Sequence, residues 1–423
     1  MGKGMYSWML LIFILWSCSI VDPVLAVLPV DKQRTQVFQV KLDLIQHYFC
    51  RGYKYKEILA TLLVIHGIRI SYRQLKRLLK RMSLFRRGPE SQIETIISAI
   101  LKEISGSGRC LGYKTMWRRL KDFYGLHVRR KTVLRLMWIA DPEGMQRRKA
   151  KRLLRRQYSC PGPDFIWHID GYDKIKPFGF AIHGAVDGFS RKIIWLELGP
   201  SNNDPKIIAR YFLNSVKESG ACRVPAVIRS DLGTENTIIR QLQIYFRLHH
   251  HDDHSAGKGF IQGKSTSNQR IESMWSMLRR QCMDFWISFF KDLRDTGIYC
   301  DGDMFQRQCL MYCFTPVIRS ELIKFTNEWN SHDISKGKTD GPRGKPDIMY
   351  TLPELYNTKN YSHNVNKEEV DVCTEIYSKP PNLEGCFPEF CRLFKLVNPT
   401  TPTTAEEAFD LYLEIISQIR NYL

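Results

Sequence analysis

Three carboxylates, Asp170, Asp231 and Glu272, occupy places where a folded chain can bring acids together. Asp170 ends the β-rich run Asp164-Phe165-Ile166-Trp167-His168-Ile169-Asp170, and Asp231 follows the short apolar run Ala226-Val227-Ile228-Arg229-Ser230 and precedes the Gly233 turn. Glu272 stands near the start of a helical pattern that begins at about Asn268 and carries Ile271, Trp275 and Leu278 on one face. Like charges a few ångströms apart cannot all stay ionised unless a cation neutralises them. Two divalent ions roughly 3.5–4 Å apart, bridged by one carboxylate and flanked by others, activate an attacking oxygen and stabilise a leaving one in phosphoryl transfer. Hard oxygen donors without organised histidine or cysteine favour two Mg2+ ions, or Mn2+, over zinc. Singly, each acid has an ordinary reading: Asp187 reads as a turn residue outside the cluster and Asp173 as a surface carboxylate. Asp170, Asp231 and Glu272 depart from that reading jointly.

The elements that must position these acids begin where Pro161-Gly162-Pro163 changes the composition. Phe178 to Val186 and Lys192 to Leu198, joined by Asp187-Gly188-Phe189-Ser190-Arg191, predict a hairpin. Asp204 to Ser219 predicts an amphipathic helix with Ile207, Ile208, Tyr211, Phe212 and Val216 inward. A short strand, an irregular loop rich in Gly, His and Ser, and the Glu272 helix follow. Three strands, helix, strand, loop and helix make an α/β layer in which two strand ends and one helix start each present an acid.

At these residues the chain resembles the DDE integrase and transposase superfamily, specifically the retroviral-integrase core of the ribonuclease H-like fold. The matching text is Trp167-His168-Ile169-Asp170, Asp187-Gly188-Phe189-Ser190-Arg191, Ser230-Asp231-Leu232-Gly233-Thr234-Glu235-Asn236 and Asn268-Gln269-Arg270-Ile271-Glu272-Ser273, covering about residues 160–290. Gly112-Tyr113-Lys114 and Val128-Arg129-Arg130-Lys131-Thr132-Val133 are similar to the helix-turn-helix leader of bacterial insertion-sequence transposases of the integrase type. The resemblance implies a mixed central sheet flanked by helices, with Asp170, Asp231 and Glu272 as catalytic metal ligands. Asp170 would bridge both ions, and water or a DNA 3′-hydroxyl would be the nucleophile in DNA integration. It also implies a homo-oligomer for synapsis of two DNA ends. Two departures stand out. Asp231 and Glu272 are 41 positions apart, longer than the retroviral pattern, with the surplus placed around His249 to Gly263, and there is no N-terminal His-His-Cys-Cys zinc module. The rival readings are a domesticated, non-catalytic DNA-binding or chromatin protein that keeps the fold, and a nuclease of ribonuclease H type.

Charge is concentrated upstream of the acids. The 423-residue chain has a formal net charge of +20, and residues 31–160 hold 31 Lys+Arg against 9 Asp+Glu, or +22, while residues 161–423 sum to −2. A block that basic points to a polyanion, most plausibly nucleic acid, with a solvated basic face as the plain alternative. Within it Val40, Leu44, Ile45 and Tyr48, then Ile58, Leu62 and Ile65, read as helix faces, and Gly67 ends the second. Ser71-Tyr72-Arg73-Gln74 has capping-box spacing and opens a helix with Leu75, Leu78, Leu79 and Met82 inward and Arg73, Lys76, Arg77 and Lys80 outward. Helix, turn and basic helix predict a helix-turn-helix whose second helix can enter a major groove. A second unit follows a box at Ser91-Gln92-Ile93-Glu94 and a helix carrying Ile93, Ile96, Ile97, Ile100, Leu101 and Ile104; Arg118, Arg119, Arg129, Arg130, Lys131 and Arg135 give it the same basic surface. Arg279, seven positions beyond Glu272, is placed two helical turns along the same face, where a phosphate could approach.

The expected organisation is therefore a leader at 1–30, helix-turn-helix units at 31–88 and 89–146, a basic linker at 147–160, the catalytic core at 161–290 and a mixed region at 291–423. The leader has the charged start, apolar middle and small-residue end of a signal peptide, and its apolar run is too short to span a bilayer. It is either an export signal or a fused leader; against it, the Arg147 to Arg156 tract predicts nuclear accumulation, with no membrane partner. Cys309 and Cys313 read as buried thiols, and His249, His250, His251 and His254 as a polar loop. Phe314 to Trp329 reads as helical, Asp340 to Pro346 as a turn-rich loop, and Thr403-Thr404-Ala405-Glu406 as the cap of a last helix with Phe409, Leu413, Ile416 and Ile419 inward.

Overall fold

The computed structural model describes residues 30–86, 88–147, 158–218, 222–264, 268–335 and 341–420. Apart from Val30, the expected leader lies outside them, as does the basic tract beyond Arg147. The chain divides into two compact units, Met1–Arg87 with Lys217–Cys222, and Gly88–Val216 with Arg223–Leu423.

The first unit is built from α1 (Val30–Cys50), α2 (Tyr55–Val64) and α3 (Tyr72–Arg81). Its core is small: Ile45, Tyr48, Phe49, Tyr53, Ile58, Leu62, Leu75 and Leu79. Gly67, at φ +63°, permits the reversal between α2 and α3. The expected box then starts α3, with the Ser71 hydroxyl accepting from the Gln74 amide at 3.2 Å and the Gln74 side chain accepting from the Ser71 amide at 2.8 Å. Ile65 and Val40 are exposed rather than inward. For Ile65 the reason is that α2 has already ended at Val64.

The second unit opens with α4 (Ile93–Ser105), α5 (Tyr113–Asp122), α6 (Arg130–Ala140) and the short α7 (Pro142–Arg147), packed around Ile96, Ile100, Leu111, Met116, Leu120, Val133 and Met137. The Ser91 capping box does not form: α4 is capped at Gln92, and Ser91 instead exchanges hydrogen bonds with His127, leaving Ile93, Ile97 and Leu101 exposed. Arg119 also departs from expectation. It is buried, not basic surface, and its guanidinium bridges Glu103 at 2.6 Å and Glu328 at 2.7 Å.

The sheet follows: β1 (Ile166–Tyr172), β2 (Ala181–Asp187), β3 (Ile193–Gly199), α8 (Pro205–Lys217), β4 (Arg223–Val224), β5 (Val227–Ser230), α9 (Thr237–Phe246), β6 (Phe260–Gln262) and α10 (Gln269–Leu278). Its strand order is β3-β2-β1-β5-β6, antiparallel on the β3 side of β1 and parallel on the other. This mixed sheet flanked by helices is the expected ribonuclease H-like α/β layer. Helix α9 and strand β6 fall where a loop was expected, and β1 continues two residues past Asp170, which is thus inside the strand. The strands are sided by their period of two. His168, Asp170 and Tyr172 face α10, whereas Trp167 packs against Phe212 of α8. All seven residues of β2 are buried, as the apolar run implies for a strand covered on both faces.

After a π turn at Arg279–Met283 come α11 (Asp284–Asp295), α12 (Met304–Ser331), α13 (Pro346–Thr351), β7 (His363–Asn364), α14 (Lys367–Tyr377), α15 (Pro388–Val397) and α16 (Ala405–Arg420), with β7 pairing only β4. Residues of β2 and β3, α10 to α12, α15 and α16 share one apolar core, so the C-terminal region is not separate from the sheet. Cys309 and Cys313 are buried in that core together with Cys386 and Cys391. The last helix is capped one residue later than read, Thr404 accepting from the Glu407 amide; Ile416 is buried as expected, Leu413 is exposed, and Leu411, Tyr412 and Ile415 are also inward. Among the described residues no helix is long and apolar enough to cross a membrane.

Candidate active site

Helix α10 is fastened along one face of β1 by its own side chains. Asn268, just before the helix, donates to the Ile169 carbonyl at 3.0 Å, and its Oδ1 meets His168 Nδ1 at 2.6 Å. The other ring nitrogen of His168 meets the Tyr158 hydroxyl at 2.7 Å. Burial holds the His168 pKa down at about 4, so the imidazole is neutral, and with its Nδ1–H donating to Asn268 its Nε2 accepts from Tyr158. Arg270 donates to the Gly188 carbonyl at 2.9 Å and lies over the Tyr158 ring, 4.0 Å from its centroid. One turn further on, the Trp275 indole N–H donates to Asp170 Oδ2 at 3.0 Å. These ties fix the rotation of α10 and place Glu272 between Arg270 and Trp275, where it is exposed.

Asp170 is partly buried in mid-strand, Asp231 follows the last residue of the adjacent parallel strand β5, and Glu272 projects from α10. Two of the three are displaced from their ordinary range. Burial pushes the Asp170 carboxyl up to about 7; the Trp275 hydrogen bond opposes this, and the charges of Asp231 and Glu272 add to it. Glu272, though exposed to solvent, is raised by partial desolvation beside the sheet and then by Asp231, with Lys174 pulling the other way. Glu235, absent from the expected site, is raised by burial and by Asp231 and Asp173. It lies in the short 3-10 turn after Asp231 and accepts from the Asn236 side chain at 2.8 Å.

The donor chemistry fits a hard divalent cation, since the acids are oxygen ligands whose mutual repulsion a cation would relieve. Their spacing is looser than a ligand shell: among the described residues no three His, Cys, Asp or Glu side chains stand close enough to hold one metal ion. The acids therefore share an electrostatic field without converging on a point.

The other expected residues are distributed as follows. Arg73, Lys76, Arg77 and Lys80 are exposed on α3 of the first unit. Arg130 and Lys131 are exposed at the start of α6, Arg130 lying 4.3 Å from the Trp117 ring centroid. Arg279 is exposed at the head of the π turn and is paired with Asp284 at 3.0 Å. Asp187 does end a strand at the hairpin turn, but it is fully buried: its carboxylate accepts from the amides of Asp164, Phe189 and Ser190 and from the Ser190 hydroxyl. The histidine loop is polar, organised by the buried Arg247 paired with Asp252.

Sequence reasoning treated Trp275 only as an apolar helix residue. A buried tryptophan N–H needs an acceptor, and that rule was the available signal. Gly184, opposite Asp170 in the β1–β2 register, was also passed over, although a glycine inside a strand marks a close approach.

Residues 157–358 match the family model described as integrase core domain. The match runs past α10 through α12 and the Pro342-Arg343-Gly344-Lys345-Pro346 loop to α13. No curated protein matches the chain. The sheet order, the acids on β1, after β5 and on α10, and this match agree: over residues 157–358 the chain carries an integrase core domain of the DDE integrase and transposase type.

Proposed function

We propose that the protein is a DNA recombinase, a metal-dependent polynucleotidyl transferase that cleaves DNA phosphodiesters at the ends of a mobile element and joins them to target DNA. The observation that carries this reading is the placement of Asp170, Asp231 and Glu272 on two adjacent parallel strands and one helix of an integrase core, with α10 fastened to β1 through Asn268 and Trp275. Those three residues would hold Mg2+ or Mn2+. When bound, such ions activate water or a 3′-hydroxyl and stabilise the departing oxygen. The chain's own part is to present the acids, to orient Asp170 through Trp275, and to hold DNA. Arg73, Lys76, Arg77 and Lys80 on α3, and Arg130 and Lys131 on α6, are assigned to phosphate and groove contacts. Arg279 is assigned to the phosphate near the ions, where DNA must compete with Asp284. A homo-oligomer and nuclear residence complete the reading.

The test is strand cleavage and joining by the full chain with Mg2+ or Mn2+. Asp170→Asn, Asp231→Asn and Glu272→Gln keep shape and remove charge, so each should lower the rate by at least about a hundredfold, on the order of 3 kcal/mol of barrier, while duplex affinity changes little. Arg279→Ala should weaken binding of the element's end. DNA binding without any metal-dependent cleavage in the unaltered protein would favour the domesticated, non-catalytic alternative.

A further inference from the structure

We infer that Trp275 is a positioning residue for the Asp170 carboxylate, and that Gly184 exists to seat its ring. This rests on the proposed role of Asp170. The Trp275 side chain crosses from α10 to β1, and its N–H reaches Asp170 Oδ2 at 3.0 Å. Its ring packs against Tyr172 on the same strand face, with centroids 5.3 Å apart, and is almost wholly buried. Gly184 is the cross-strand partner of Asp170. A methyl group on Gly184 would come within 2.9 Å of Trp275 Cη2 and 3.3 Å of Leu196 Cδ1. Gly184 does not have a positive φ, so no backbone requirement explains the glycine. Space for the indole does.

The choice of donor matters chemically. An ionised carboxylate offers about four lone-pair sites, and one indole N–H occupies a single site on Oδ2. The Gly171 amide also interacts with this carboxylate, and the sites that remain are available to a cation. An arginine or lysine in the same place would fix the carboxylate equally well, but would neutralise it and repel the metal. Trp275 thus locks the rotamer of Asp170 while leaving its charge intact, an arrangement suited to a ligand that must be fixed before the cation arrives.

Two alterations separate the parts of this claim. Trp275→Phe keeps a ring over Gly184 and removes the N–H; 3-benzothienylalanine at position 275 keeps the indole's outline and removes only the N–H, which guards against a folding defect in the phenylalanine variant. Gly184→Ala leaves the N–H but displaces the ring. In the full-length protein each should weaken Mn2+ binding, followed by electron paramagnetic resonance of the free ion, by about tenfold, and slow strand joining without changing duplex affinity by more than about twofold. In protein labelled with 15N at tryptophan, Mn2+ should broaden the indole N–H signal of Trp275, assigned by its loss in Trp275→Phe, and Asp170→Asn should shift it. If the unaltered protein binds Mn2+ and joins strands while the benzothienyl variant does both equally well, the positioning role is wrong and the recombinase reading stands. If Mn2+ leaves the indole signal sharp and the unaltered protein has no metal-dependent activity, both fail.

Discussion

His183 shows how much of this core depends on neutral side chains. It is fully buried in β2, with Nδ1 accepting the Trp195 indole N–H at 3.1 Å and the two rings stacked at 6.0 Å. Burial lowers its pKa to about 4, opposed by the nearby Asn236 side-chain carbonyl, which favours the charged form. An unfolded histidine takes up a proton near pH 6.5, whereas this one resists until about 4, so its contribution to stability is lost as pH falls from about 6.5 to about 4. His183→Gln can keep an acceptor for Trp195 and cannot titrate. The stability difference between unaltered protein and variant, from denaturant midpoints, should therefore shrink or reverse across that interval. Asp187 belongs to the same class of buried residue. Asp187→Asn turns an amide donor toward backbone donors and should cost about 1–3 kcal/mol of stability, visible as a lower thermal midpoint. It is therefore no neutral control for the acids; the exposed Asp253 is a better one.

Among the elements, those with a strong local pattern were legible in the sequence and those defined by distant partners were not. The hairpin, α8, β5, α3 with its capping box and the start of α10 follow from alternation, helical spacing and turn residues within a few positions of one another. Strand β6 is only three residues long, too short for any periodicity to register. Helix α9 did carry a pattern, Ile239, Leu242 and Phe246, hidden by reading the whole span between the Gly233 turn and Asn268 as irregular loop. At the site, the three acids were legible because each adjoins a recognisable element, whereas the Trp275 bond to Asp170 spans 105 positions and Arg119 meets Glu328 across 209. On a basic helix Arg119 looks like its exposed neighbours until its partners are known. Arg119→Met should destabilise the second unit by about 3–5 kcal/mol, because it leaves the buried Glu328 and the half-buried Glu103 without their cation. Chemical denaturation of the full chain measures this, and pairing the change with Glu328→Gln should recover part of the loss.

At the scale of the whole molecule, the +22 carried by residues 31–160 sets the salt dependence of any DNA complex. For each phosphate contact the logarithm of affinity falls by about 0.9 per decade of salt. Neutralising Arg73, Lys76, Arg77 and Lys80 together should flatten the slope by roughly 3 to 4, read from binding isotherms at several salt concentrations. The full chain is the right material, since α4 to α6 are joined to the sheet's own unit through Arg119 and a fragment ending at residue 160 would strip Glu328 from it. The same buried arginine has a metrical consequence. Helix α6 and Asp170 belong to one compact unit, in which the buried Arg119 of α5 ties the helical bundle to Glu328 of α12. A duplex lying on α6 would be presented to Asp170 at a set number of base pairs from the sequence that α6 grips. Under the recombinase proposal the bundle would then work as a ruler: ends of differing sequence would be cut at the same offset, and changes to the ruler, not to the acids, would move the cut.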